Sequence, residues 1–119
     1  MLPPSQRQSY EDFQQVLQHF HSYATTPDVE IPRIQEYFQD VKRIFESKIA
    51  SLNAEDVLPD NTSRWQSLQT EIYKQMRLLE TDMRLLQAAR SSATFQTRAS
   101  GVCDRLNTLM QYCKALIQL

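Results

Sequence analysis

The stretch from Trp65 to Arg90 constrains the fold of this chain more than any other part of it. It contains no proline and no glycine, and its apolar residues recur three or four positions apart. Side chains with that spacing lie on one face of an α-helix. The stretch therefore predicts one long helix, which needs other helices to cover its apolar face.

The same spacing recurs in three other segments. It predicts helices over about 6–24, 32–52 and 94–118, and it places the long helix over about 62–90. The third and fourth helices are separated only weakly, because residues 91–93 contain neither proline nor glycine. One continuous helix is the alternative, although the serine and threonine residues at this point favour a break.

Four amphipathic helices with short connections predict an all-α fold, in a single domain over residues 1–119. We expect an antiparallel four-helix bundle in which the long third and fourth helices form a hairpin. The extra length of the third helix predicts that one end of this hairpin projects beyond the other helices. Pro59 is expected to stop the preceding helical segment, so that Asp60, Asn61 or Thr62 caps the third helix.

Composition and charge argue against several classes of function. The net charge is −1, with 13 basic and 14 acidic residues, whereas proteins that bind duplex nucleic acid or anionic membranes carry a basic patch. No apolar run approaches the ~20 residues that span a bilayer, and the first residues lack the basic and apolar segments of a signal peptide. We expect a cytoplasmic protein that neither binds nucleic acid nor inserts into a membrane.

The two cysteines are expected to be free thiols. Cys103 and Cys113 lie ten positions apart in one predicted helix, which separates them by ~15 Å along the axis. A disulfide requires Cα atoms within ~7 Å, so the two cannot bridge within that helix. Free thiols agree with a reducing compartment.

The sequence offers little that indicates catalysis. Gly101 is the only glycine, so few sites exist for phosphate-binding loops or nucleophile elbows. His19 and His21 lie two positions apart and point to different sides of a helix, whereas helical metal ligands are spaced by three or four. We expect no enzyme, no metal and no cofactor. The acids of the third helix have basic helical neighbours and indicate surface ion pairs: Glu71, Glu80 and Asp82 beside Lys74, Arg77 and Arg84.

One carboxylate does not fit this surface pattern. Asp82 falls within the apolar stripe of the third helix, and a buried carboxylate needs a donor. If the hairpin turns near Ser92, Asp82 lies opposite about Val102, between Arg98 and Arg105. We predict an ion pair from Asp82 to Arg105 or Arg98 that fixes the register of the two helices. Direct contact of Asp82 with a partner is the alternative.

Several runs in the third helix resemble a known family. Trp65-Gln66-Ser67 with Thr70-Glu71-Ile72, Arg77-Leu78-Leu79 with Thr81-Asp82, and Leu85-Leu86-Gln87-Ala88-Ala89-Arg90 are similar to the heterocyst frequency control protein PatD family of filamentous cyanobacteria. Arg98 and Arg105-Leu106 extend the resemblance, which covers roughly Trp65 to Tyr112. It implies a small cytosolic regulator that limits the differentiation of cells into heterocysts. It further implies protein–protein contact with the cell-division machinery, through the tubulin-like division protein FtsZ.

The resemblance supplies no site residues, so the expected partner surface is inferred from position alone. On or near the solvent side of the third helix we predict partner contacts at Glu71, Lys74, Arg77, Arg84 and Arg90. An ordinary solvated face is the alternative for each of them. Two other functions stay open: a generic self-associating adaptor or structural protein that forms a homodimer, and an enzyme or small-ligand binder with a site between helices.

Overall fold

A computed structural model describes residues 2–119, and within this range the chain forms helices and no strand. The predicted all-α fold is confirmed. The second helix passes directly into one π-helical turn, Phe45–Ile49. The α-helices are α1, Pro4–Ala24; α2, Ile31–Ile44; α3, Pro59–Gln87; and α4, Ser92–Ile117.

Prolines begin three of these helices. Pro4 and Pro59 are the first residues of α1 and α3, and Pro32 is the second residue of α2. Proline is well tolerated there because the first N–H groups of a helix have no partner within it. The prediction for Pro59 was therefore wrong, since Pro59 starts α3 and Leu58 is the residue that precedes the helix.

The break between α3 and α4 is confirmed. The hydroxyl of Ser91 accepts a hydrogen bond from the backbone N–H of Thr94 at 3.1 Å, which caps the start of α4. The α3 helix ends at Gln87, three residues earlier than expected. Arg90 consequently lies in the connection rather than on the helix.

The four helices form an antiparallel ring in the order α2, α1, α4, α3. Gln14 of α1 donates to the carbonyl of Met110 in α4 at 3.4 Å, and the rings of Phe20 and Tyr37 stack between α1 and α2. The α2–α3 seam closes the ring. These two helices are in contact over a much smaller area than any other neighbouring pair of helices. The interior is formed by fully buried side chains from all four helices: Phe13, Leu17, Phe20, Ile34, Val41, Ile72, Leu79, Leu86, Leu106, Leu109 and Leu116.

The bundle is elongated, with principal extents of 50 × 20 × 19 Å. Pro32 at the start of α2 and Gln87 at the end of α3 line the same surface depression, so α2 begins at the level where α3 ends. At the end where α3 turns into α4, the hairpin therefore does not project beyond α2. At the opposite end, where α3 begins and α4 ends, the projection stays a prediction.

None of the helices within residues 2–119 combines the length and the apolar character that crossing a membrane requires.

Candidate functional site

The ion pair predicted for Asp82 is present, and its partner is Arg105. The Nε atom of Arg105 lies 2.9 Å from Asp82 Oδ2, and a terminal nitrogen of the same guanidinium donates to Gln75 Oε1 at 2.9 Å. The side chain of Asp82 is 19% exposed, so it lies at the edge of the apolar stripe rather than beneath it. The pair joins α3 to α4, as a register-fixing contact would.

Arg98, the other predicted partner, does not contact Asp82. Its guanidinium donates to the backbone carbonyl of Leu85 at 2.5 Å. Leu85 belongs to the last turn of α3, where carbonyls lack helical N–H partners. Arg98 therefore caps the C-terminal end of α3.

The five residues predicted to contact a partner lie in different surroundings. Glu71 is partly buried and accepts a hydrogen bond from the Tyr112 hydroxyl of α4 at 3.4 Å, and burial together with this carboxylate raises the pKa of Tyr112. Lys74 is exposed and lines no groove, and Arg90 lies in the connection after α3. Only the remaining two, Arg77 and Arg84, face α2.

The open seam between α2 and α3 forms a groove of about 490 Å³, which we call the α2–α3 groove. Among the residues that the structure describes, no hydrogen bond or ion pair joins α2 to α3. The groove thus lies where two neighbouring helices fail to close on each other. Its lining consists of Phe38, Lys42, Phe45 and Glu46 on one side, and Thr70, Tyr73, Met76, Arg77 and Glu80 on the other.

Aromatic and sulfur-containing side chains form the floor of the α2–α3 groove. The rings of Phe45 and Tyr73 meet edge to face with centroids 5.3 Å apart. Phe38 and Met76 lie beside them and are each only 6% exposed. Aromatic pairs favour this arrangement. Phe45 and Tyr73 are only partly buried, so these two rings supply most of the apolar surface that the floor exposes.

The π-helical turn sets the position of Phe45. The backbone N–H of Ala50 bonds to the carbonyl of Phe45 at 2.9 Å, five residues back, which widens the helix. Two α3 side chains then take the final carbonyls: Gln69 donates to Ile49 at 2.9 Å and the Tyr73 hydroxyl donates to Ala50. These bonds end the helix at 49, three residues before the predicted end.

A buried contact from α1 holds Gln69 in place. The Tyr10 hydroxyl donates to Gln69 Oε1 at 2.7 Å. Burial raises the pKa of Tyr10 well above its ordinary value, so the hydroxyl retains its proton. Helices α1 and α3 and the π-helical turn are thereby joined by one polar chain beneath the groove.

Two basic side chains at the rim of the α2–α3 groove have no acidic partner. Lys42 is half-buried and Arg77 is exposed, and neither has a carboxylate within 4.0 Å among the described residues. Since Phe45 lies opposite Tyr73, the antiparallel register places Lys42 opposite Met76, next to Arg77. The two cations therefore line the groove at about the same level, one on each side.

Toward the hairpin tip the groove continues as a polar extension of about 750 Å³, which shares Phe38, Lys42 and Glu80 with it. Two ion pairs lie within it, Arg43 with Asp40 at 2.8 Å and Arg84 with Glu80 at 2.9 Å, and Glu36 is paired with Arg33 outside it at 3.0 Å. The extension is lined further by Pro32, Gln35, Glu36, Gln39, Met83 and Gln87. One long groove thus has an apolar end with unpaired cations and a polar end with paired charges.

Neither thiol is activated. Burial raises the pKa of Cys113 to about 12, and burial with the neighbouring Asp104 raises the pKa of Cys103. Residues 2–119 contain no group of three or more histidine, cysteine or acidic side chains that would hold a metal ion. The groove itself offers apolar contact area and charge.

The groove was not predicted from the sequence. Phe45 and Tyr73 lie on or beside apolar stripes, as core residues do, and the sequence carries no pattern that distinguishes a closed seam from an open one. Lys42 is the one available signal, because it is a basic residue one turn from both Phe38 and Phe45.

No match to this chain is found among models of known protein families, among curated proteins or among solved structures.

Proposed function

We propose that this protein is a non-enzymatic regulator that acts by contact with a protein partner, and that the α2–α3 groove is the binding surface. The observation that carries the proposal is the apolar floor with Lys42 and Arg77 unpaired above it. Hot spots of protein interfaces are formed by large apolar or aromatic side chains in such depressions, and arginine is enriched among them.

The resemblance of α3 to the PatD family gives this contact a biological role. The proposed regulator acts in the cytoplasm, limits heterocyst frequency and binds FtsZ of the cell-division machinery. The run Arg77-Leu78-Leu79, which contributes to the resemblance, includes one of the two rim cations. The helix that carries the resemblance, α3, therefore also forms one side of the α2–α3 groove.

Co-sedimentation with polymerised cyanobacterial FtsZ tests this proposal. At about 30 μM of both proteins, a dissociation constant in the micromolar range places most of the chain in the pellet. The Arg77→Glu variant is expected to pellet less, and Arg64→Glu, on an exposed part of α3 outside the groove, is expected to behave as wild type. No wild-type chain in the pellet above the FtsZ-free control would reject FtsZ as the partner.

The alternative of a self-associating adaptor has weaker support. Large apolar side chains that are strongly exposed are Leu58, at 56%, and Leu85, at 46%, among the described residues. They lie 27 positions apart, roughly 40 Å along α3, so they cannot belong to one small patch. Light scattering on the 14.0 kDa chain decides between monomer and dimer.

A further inference from the structure

We propose that the α2–α3 groove binds an amphipathic helix that carries an acidic residue beside its apolar anchors. This inference rests on the proposed function and specifies the chemistry of the partner. The floor, the rim charges and the length of the groove each support it.

The floor selects apolar anchors at helical spacing. The partly exposed rings of Phe45 and Tyr73, with the small exposed parts of Phe38 and Met76, provide a surface that large aliphatic or aromatic side chains cover on binding. A helix laid along two antiparallel helices presents such side chains at positions i, i+3 or i+4, and i+7. Methionine at the floor adapts to different anchor shapes, because its side chain is unbranched and flexible.

The rim selects an acidic residue between those anchors. Lys42 and Arg77 line opposite sides of the groove, and neither has a carboxylate within 4.0 Å among the described residues. A carboxylate placed between them gains two charge-assisted contacts in a partly desolvated site. An acidic residue of the partner is therefore favoured there, and a basic one is opposed by like charge.

Of the two acidic residues that line the groove, Glu80 is paired with Arg84, and the unpaired one, Glu46, gives the bound helix a direction. Glu46 lies one turn beyond Lys42 at the far end of the groove, is exposed and has no basic partner among residues 2–119. A basic residue one turn from the partner's acidic residue matches Glu46 in only one orientation of the helix. Charge complementarity of this kind sets specificity more than it sets affinity.

The length of the groove favours a helix over other occupants. From Pro32 in α2 to Glu46 in the π-helical turn the groove and its extension span fourteen positions, or about 21 Å, which accommodates a helix of about 14 residues. A small molecule would fill only the apolar end. A second copy of the chain would place one concave groove against another, and two concave surfaces do not fill each other.

Selection from a displayed library of helical peptides of about 14 residues tests the inference with this chain alone. The library fixes the helical frame and randomises the anchor and flanking positions. We expect the wild-type chain to select apolar anchors at helical spacing with an acidic residue beside them. The Lys42→Glu/Arg77→Glu double variant is expected to select lysine or arginine at that position.

The matched control is the Arg64→Glu/Lys74→Glu double variant. Both residues are exposed on α3, have no ion pair in the described structure and line no part of the groove. By fluorescence anisotropy, a wild-type-selected peptide is expected to bind about tenfold more weakly to the groove variant. Its affinity for the control should change less than about twofold. Circular dichroism of all three proteins verifies that the variants are folded.

Four outcomes would overturn the inference. The wild-type chain would select no helical spacing above the unselected library, or the groove variant would keep the acidic preference of wild type. Decanoate would stabilise the wild-type chain in a thermal shift when no peptide does, which would identify a small-ligand site. Light scattering would show a dimer that the groove variant loses, which would identify a second copy as the occupant.

Failure of this inference and failure of the proposed function are distinguishable. Co-sedimentation with FtsZ that survives Lys42→Glu/Arg77→Glu would overturn the groove as the site and leave the regulatory function standing. Selection of acidic helices by a chain that does not sediment with FtsZ would support the groove and reject FtsZ as its partner.

Discussion

Arg105 joins the two long helices more than any other single side chain. It contacts Asp82 and Gln75, which lie two turns apart on α3, and so resists sliding of α4 along α3. The sequence narrowed the partner of Asp82 to two arginines. The choice between them depended on the end of α3, because Arg98 is occupied by the carbonyl of Leu85 there.

Neutralising this pair should destabilise the bundle modestly. Asp82→Asn removes the charge at nearly constant shape, and we expect the free energy of unfolding to fall by about 1 kcal/mol, since the pair is only partly exposed. The matched control is Glu80→Gln, which removes an exposed pair within α3 and should cost less than about 0.5 kcal/mol. Urea melts measure both; equal effects would contradict a structural role for Asp82.

The buried thiol of Cys113 should make stability fall at alkaline pH. Its pKa is about 12 in the fold against an ordinary value of 9.0. Below pH 9 the thiol is protonated in both states and contributes no pH dependence. Between pH 9 and 12 the unfolded chain loses the proton and the folded chain keeps it, so stability falls by up to about 1.4 kcal/mol per pH unit.

Comparison with Cys113→Ala isolates this contribution. At pH 7 the variant is less stable because it leaves a small cavity in the core. The difference in unfolding free energy between the two proteins should shrink as the pH rises above 9. Only the wild type has a thiol whose ionisation in the unfolded chain lowers stability. Urea melts at pH 7, 9 and 10.5 test this, and a constant difference would show that the thiol does not titrate as inferred.

Among the helices, the separation of α3 from α4 depends on a short polar cap. Serine at the residue before a helix satisfies a backbone N–H that would otherwise lack a partner, which explains why a connection without proline or glycine still ends one helix and starts another. The three proline starts act in the same local way. Helix boundaries that depend on such local chemistry were placed within a few residues.

Ser91→Ala should weaken the hairpin. Loss of the hydroxyl leaves the N–H of Thr94 without its acceptor, and we expect a cost of about 1 kcal/mol in the free energy of unfolding. The neighbouring Ser92→Ala lies within the first turn, is equally exposed and makes no side-chain hydrogen bond among the described residues. Its free energy of unfolding should be nearly that of the wild type. Thermal melts of both variants measure the difference. A neutral Ser91→Ala would show that the cap does not determine where α4 begins.

At the scale of the whole molecule, α2 is the helix that packs least extensively against the others. It packs mainly on α1 and meets α3 along a short seam without polar contacts. Elements with few buried contacts open more readily than the rest of a fold. The groove and the expected mobility of α2 are thus two consequences of the same incomplete packing.

Hydrogen exchange measured by mass spectrometry should detect this difference. Amides of α2 are expected to exchange faster than those of the interior of α4, which packs against both α1 and α3. A peptide bound in the α2–α3 groove should slow exchange in α2 and leave α4 nearly unchanged. Equal protection of α2 and α4 in the free chain would contradict an open seam.

The helices, their apolar faces, the break before α4 and the need of Asp82 for a donor follow from the sequence by itself. Each depends on residues close together in the chain, where periodicity and capping act directly. The π-helical turn and the groove were decided only by tertiary structure. Gln69 and Tyr73 of α3 donate to the carbonyls that end the turn, and the rings of Phe45 and Tyr73 meet edge to face between the turn and α3. Contacts between side chains from distant parts of the chain depend on how the helices pack around one another, and that packing leaves no periodic pattern in the sequence.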